Sequence, residues 1–144
     1  MGSICTLTTD FGRGDPYVAA MKGVLLSGIP GIQILDLSHE IGPQNVHHAS
    51  RFLGDSLSYF PEGTLHLIVV DPGVGTDRSI VIAQGGGQTL VCPDNGVVSR
   101  WWRKTPGARC VRVERDDLWP PNPSHTFHGR DVFCPLVVAL LRGT

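Results

Sequence analysis

The run TLHLIVVDPGVG, residues 64–75, constrains this chain more than any other stretch. Its centre, Leu67 to Val70, is apolar at every position, so a strand built from it cannot turn either face to water. Such strands belong to mostly parallel sheets with helices packed on both faces. The run ends in Asp71-Pro72-Gly73, which puts a carboxylate at the end of a dry strand, where it needs partners or solvent.

The rest of the chain supplies matching pieces. ICTLTT (4–9) is rich in β-branched residues and ends at Asp10-Phe11-Gly12, as a strand running into a loop does. YVAAMKGVLLSGI (17–29) repeats apolar residues at helical spacing through Val18, Met21, Val24 and Leu25 until Pro30 stops it. IQILDL (32–37) reads as a second strand, and Asn45 to Phe60 as a second helix with Val46, Ala49, Leu53 and Leu57 on one face. SIVIAQ and QTLVC around Gly85-Gly86-Gly87 read as a hairpin, and PDNG as a turn before VVSRWWRK. RCVRVE (109–114) reads as a strand, a proline-rich loop runs from Trp119 to Pro123, and DVFCPLVVALLRGT (131–144) is the expected terminal helix. The expectation is one α/β domain, residues 1–144, with a mostly parallel central sheet flanked by helices.

Composition excludes several functions. A chain of 144 residues is long enough to bury a core without covalent staples. With 17% charged residues and a formal net charge of −1, it offers no basic surface for nucleic acid or anionic lipid. No segment approaches the roughly 18 apolar residues that span a bilayer, and MGSICTLTTD has no secretory leader, so the expectation is a cytoplasmic protein without membrane or nucleic-acid partners. Cys5, Cys92, Cys110 and Cys134 form no CxxC pair and each sits in or beside an apolar run, which predicts reduced core thiols.

Ligands of open α/β sheets collect outside the carboxyl ends of strands, and both Asp10 and Asp71 follow strands in this reading. Each could equally be a turn-forming aspartate. DPGVGTDR (71–78) is glycine-rich but lacks the GK[ST] ending of a phosphate loop and precedes a strand, so it does not read as a nucleotide-triphosphate site. It does offer a carboxylate and a guanidinium, Asp71 and Arg78, separated by a turn that only small residues allow, which could bring both to one pocket rim; the plainer alternative is a surface ion pair. SHTFHGRD (124–131) places His125 and His128 three apart ahead of the final apolar run, where a cap competes with a catalytic role. No cysteine or histidine cluster completes a structural zinc site, although Asp10, His39, Asp71 and His128 could hold a hydrolytic metal. His39, His47, His48 and His66 read as strand-end, helix-face or core-edge histidines.

Taken in order, TLTTDFG, YVAAMKGV, ILDLSHEI, YFPEGTLHLIVVDPGVGT, PDNG and TFHGRDVF resemble the S-adenosylmethionine hydroxide adenosyltransferases, relatives of the S-adenosylmethionine-dependent chlorinase and fluorinase. The resemblance runs over nearly the whole chain. It implies an α/β N-terminal domain, a homotrimer, and cleavage of S-adenosyl-L-methionine by water to adenosine and L-methionine without a cofactor or metal. It places the family's catalytic Asp-Arg-His set on Asp71, Arg78 and His128, its ribose-binding aspartate on Asp10, and Phe127 beside the substrate. Arg130 and Asp131 fall to ordering the loop and starting the helix. Ser79 stands where many relatives carry a second arginine. Family members continue into a smaller C-terminal β domain that supplies adenine and methionine contacts from a neighbouring subunit, and this chain, ending at LLRGT, is expected to lack it.

The implied chemistry suits these residue types. Displacement at the ribose C5′ turns a sulfonium into a neutral thioether, so the leaving group needs no acid and the demand falls on an in-line oxygen nucleophile. A carboxylate, a fixed cation and an imidazole around one water can orient it and take its proton. The acceptor-only carboxylate of Asp10 suits the 2′ and 3′ hydroxyls. Two other readings stay open: a catalytically silent domain that binds adenosine or only self-assembles, and a halide-using relative, which the Asp-Arg-His combination disfavours.

Overall fold

The computed structural model describes residues 3–12, 14, 16–71, 79–114, 117 and 128–143. In chain order these form β1 (Ile4–Thr9), α1 (Tyr17–Gly28), β2 (Gln33–Ser38), α2 (Val46–Ser56), β3 (Leu65–Val69), β4 (Ile80–Gly85), β5 (Gln88–Pro93), α3 (Ser99–Lys104), β6 (Arg109–Arg112) and α4 (Cys134–Leu141). A 3-10 turn, Leu57–Tyr59, prolongs α2, and a wide π-type turn, Gly129–Phe133, leads into α4.

The six strands form one sheet in the order β2-β1-β3-β5-β4-β6. β1 runs parallel to β2 and β3, and β3 parallel to β5, while β4 is antiparallel to both its neighbours. The central strand behaves as its composition demands. Leu65, Leu67 and Val69 join Met21 and Leu25 of α1 and Leu136 and Val137 of α4 in one core. Ile68 and Val70 point the other way, into a second core with Ala49 and Leu53 of α2 and Trp101 of α3. Period-two alternation thus feeds both faces at once, and each fully buried aliphatic contributes roughly 1.5–3 kcal/mol relative to exposure.

Under the second core lies a polar network. His66 sits between Thr6 and Gln88, with Nδ1 2.6 Å from Thr6 Oγ1 and Nε2 3.0 Å from Gln88 Oε1. Gln88 Nε2 donates to the carbonyls of Leu57 (2.7 Å) and Phe60 (2.9 Å), so its oxygen faces the imidazole. His66 therefore donates from Nε2 and accepts the Thr6 hydroxyl proton at Nδ1. Burial pushes its pKa down to about 4, with the Gln88 hydrogen bond acting weakly upward. The network pins β1, β3, β5 and the end of α2 together.

The structure departs from the sequence reading in four places. The hairpin turn is only Gly86-Gly87, with φ of 59° and 77°, because a two-residue type I′ turn needs two left-handed positions and Gly85 is already paired to Gln88. α2 gives way to the 3-10 turn at Leu57 rather than continuing to Phe60. Helical winding before α4 begins at Gly129, where the N–H of Cys134 reaches back five residues to the Gly129 carbonyl. Pro135 has no N–H for the Asp131 carbonyl and crowds it, which disfavours a regular α turn at this point. Finally, Cys5, Cys92 and Cys134 are buried free thiols as expected, but Cys110 is exposed. It lies on β6, an edge strand with all four residues at the surface.

Candidate active site

The strand order creates the site. From β1 the chain crosses through α1 to β2 on one side, then returns through α2 to β3 on the other, with the two helices on opposite faces. The carboxyl ends of β1 and β3 therefore flank a topological switch point, where loops diverge and leave a crevice. Asp10 follows the last residue of β1, and Asp71 comes two residues after the end of β3. The register pairs Thr9 with Val69, so the two strand ends are level.

Asp10 is half-buried. Burial raises its carboxyl above the ordinary range, hydrogen bonds from the backbone N–H groups of Gln44 and Asp10 itself pull the other way, and the charge of Asp71 adds to the rise. That coupling puts the two carboxylates in one electrostatic environment. The Gln44 N–H meets Asp10 Oδ2 at 2.6 Å. Asp71 is buried, at 8% exposure. The backbone just before it is held by Asn95, whose Nδ2 donates to the Val70 carbonyl at 2.9 Å while its Oδ1 accepts from the N–H of Val97 at 3.3 Å. The Asp94 N–H, just after β5, donates to the Ser79 carbonyl at 2.8 Å, tying the start of β4 to the same edge. Close by on β1, Thr8 is completely buried and its hydroxyl finds no hydrogen-bond partner among the described residues.

A clamp built on His39 sets the loop after Asp10. The Phe11 N–H donates to Thr9 Oγ1 at 3.2 Å, and that hydroxyl lies 2.8 Å from His39 Nδ1. His39 Nε2 lies 2.8 Å from Asp36 Oδ1, and Lys22 Nζ donates to Asp36 Oδ2 at 2.7 Å. Burial works to raise the Asp36 carboxyl, but Lys22 and His39 outweigh it and hold the pKa below the ordinary value. The His39 carbonyl accepts the N–H of Gly12 at 2.7 Å. His39 is thus a strand-end histidine, as its sequence position implied, and its ring and carbonyl together join the ends of β1 and β2.

Of the residues expected in the site, the structure brings Asp10 and Asp71 together. His128 is half-buried at the start of the final helical segment, immediately before the π-type turn. Arg130 Nε and Nη2 grip Asp131 Oδ1 and Oδ2 at 2.6 and 3.2 Å within that turn. Arg78 and Phe127 lie outside the described residues, as do the other residues of 72–78. Among the described residues no cluster of three His, Cys, Asp or Glu could hold a metal ion. A cavity of about 770 Å³ between α1 and α4, lined by Ala20, Val24, Gly28, Val138 and Arg142, runs toward the opposite, amino edge of the sheet. Sequence reasoning missed Gln44 and Asn95. A backbone donor leaves no mark on residue type, and PDNG reads as turn chemistry whether or not its asparagine reaches across to another strand.

Residues 5–144 match the SAM hydroxide adenosyltransferase N-terminal domain. The chain is 42% identical to an (R)-S-adenosyl-L-methionine hydrolase of Thermus thermophilus, over 94% of this chain and 55% of that protein. It is 41% identical to one of Methanocaldococcus jannaschii, over 96% of this chain and 53% of the relative. A fluorinase of an Actinoplanes species is more distant, at 28% identity over 90% of this chain and 51% of its own length. Among solved structures, an uncharacterized conserved protein from Thermotoga maritima superimposes with a TM-score of 0.90 at 38% identity, over 98% of this chain and 54% of the other. The chain spans about half the length of the curated relatives it matches. With the sheet order, the paired strand-end carboxylates and the sequence match in agreement, the chain belongs to the SAM hydroxide adenosyltransferase family, whose N-terminal domain it represents.

Proposed function

We propose that this chain provides the strand-end half of a site that hydrolyses S-adenosyl-L-methionine to adenosine and L-methionine. The observation that carries the reading is the placement of Asp10 and Asp71 just beyond the level ends of the neighbouring strands β1 and β3, at the switch point. The activity named for the relatives, at 37–42% identity, supports the choice of substrate.

In this reading Asp10 accepts hydrogen bonds from the ribose 2′ and 3′ hydroxyls, which fixes the sugar and aims C5′ along the crevice. Asp71, Arg78 and His128 surround one water. Its oxygen forms a bond to C5′ as the C5′–S bond breaks, and the bonding pair leaves with sulfur, which becomes the neutral thioether of methionine. The water's proton passes to a member of the set or to solvent, and general-base help of this kind contributes about 10²–10⁴ in rate. Phe127 packs beside the bound substrate. The reaction calls for no metal or organic cofactor. Assembly as a homotrimer in the cytoplasm, without nucleic-acid or membrane partners, completes the proposal. Among the described residues no helix is long and apolar enough to cross a membrane.

Because the chain spans about half the length of its relatives, a second reading is a silent domain that binds adenosine or only self-assembles. Incubation with S-adenosylmethionine, with and without chloride, followed by chromatography separates the possibilities. Equal amounts of adenosine and methionine are expected. A 5′-chlorinated adenosine would overturn the use of water, and no product at all would leave the silent domain.

A further inference from the structure

Gln44 is the only described residue other than glycine with a left-handed backbone, at φ 55°. Non-glycine residues enter this region infrequently and persist there when the surroundings demand it. The surroundings here are specific. Asn45 must cap α2, its Oδ1 accepting the N–H of His48 at 3.0 Å, and the Asn45 N–H must reach the Gly42 carbonyl at 2.8 Å. Between Pro43 and that cap, the left-handed twist turns the Gln44 N–H back toward the end of β1, where it meets Asp10 Oδ2 at 2.6 Å. The Gln44 side chain is exposed, so packing does not explain the conformation.

We infer that Gln44 is a positioning residue that acts through its backbone N–H, locking the Asp10 carboxylate in the orientation from which it grips the ribose diol. This rests on the ribose reading of Asp10. A free carboxylate rotates about its terminal torsion, and a bidentate grip on neighbouring hydroxyls requires that plane to be fixed beforehand. The charge-assisted bond from Gln44 to Oδ2 ties the carboxylate to a second segment, beyond its local contact with its own N–H, and leaves lone pairs for the ligand. The identity of the side chain is secondary, provided that it tolerates a positive φ.

The test is calorimetric titration of the full chain with adenosine and with 2′-deoxyadenosine. The wild type is expected to favour adenosine, and Gln44→Ala and Gln44→Gly to keep that preference, since both retain the N–H. Gln44→Pro, which removes the donor and cannot adopt a positive φ, is expected to lose roughly tenfold in adenosine affinity and most of the preference, the size of one hydrogen bond to a charged group. Should the proline chain fail to fold, an ester at the 43–44 linkage deletes the same N–H without altering φ or side chain, and is expected to behave alike. An ester variant with undiminished preference overturns the inference, as do alanine and glycine variants that lose it. No preference in the wild type removes the ribose reading of Asp10 itself, and this inference with it.

Discussion

Thr6 and Thr8 stand two residues apart on one face of β1, and both are fully shielded from solvent. Thr6 closes a circuit through His66 and Gln88 to two backbone carbonyls, whereas the hydroxyl of Thr8 has no partner among the described residues. The difference follows their depth along the strand. Thr6 lies mid-sheet, where an unpaired polar group would cost about 1–3 kcal/mol and every group has been matched. Thr8 lies one turn of the pleat from the carboxyl edge, beside Asp10 and Asp71, where loops rather than strands define the surroundings. The interior polar groups are committed to the fold. Those at the edge are held mostly by backbone groups of the loops, such as the Gln44 N–H on Asp10 and the Val70 carbonyl and Val97 N–H on the Asn95 amide.

The contrast is most easily broken in the interior. Gln88→Leu strands His66 Nε2–H and the carbonyl of Phe60 and leaves the Leu57 carbonyl only the Phe60 N–H, and is expected to destabilise the chain by about 3 kcal/mol, read from urea unfolding. A smaller loss from Gln88→Leu would mean the circuit is less closed than its geometry indicates.

Acid should reach the same network. Burial holds the folded-state pKa of His66 at about 4, below the ordinary 6.5. Between those values the unfolded chain binds more protons, so this contribution to stability is complete above pH 6.5 and declines as pH falls through that range toward 4. The full loss amounts to about 3 kcal/mol. His66→Gln should remove this part of the pH dependence; an unchanged acid slope in the variant would place the titrating group elsewhere.

At the edge the expected stability effects are smaller and opposite in sign. Thr8→Val replaces a buried hydroxyl that has no described partner and should stabilise by about 1 kcal/mol, whereas Thr6→Val should destabilise by a similar amount. Two variants of the same sign would erase the distinction between the two positions, and the thermal midpoints of the pair decide it.

Much of this was legible in the sequence, for identifiable reasons. The unbroken apolar run from Leu67 to Val70 announced a doubly buried strand, and helical spacing through Met21 and Leu25 announced α1. Asp10 and Asp71 were marked by standing just after strands. What could not be read was adjacency: nothing in residue type says that β3 lies beside β1, which is what brings the two aspartates to one crevice. The tertiary reach of His39 to Thr9 and of Asn95 to Val70, and the backbone N–H of Gln44, were hidden for the same reason. Cys110 misled because its apolar neighbours belong to an edge strand, whose exposure depends on sheet order rather than on local pattern.

In the proposed reading the carboxyl edge serves chemistry while the interior network serves the fold. The most direct test of this claim is to measure turnover of S-adenosylmethionine and the urea midpoint side by side for the wild type and Asp71→Asn, a change that removes charge with little change in shape. Turnover should fall by about 10²–10⁴ while the midpoint stays within the scatter of ordinary surface substitutions. Wild-type turnover in Asp71→Asn, or a midpoint that collapses as it would for Gln88→Leu, would contradict the claim and make Asp71 one more structural carboxylate.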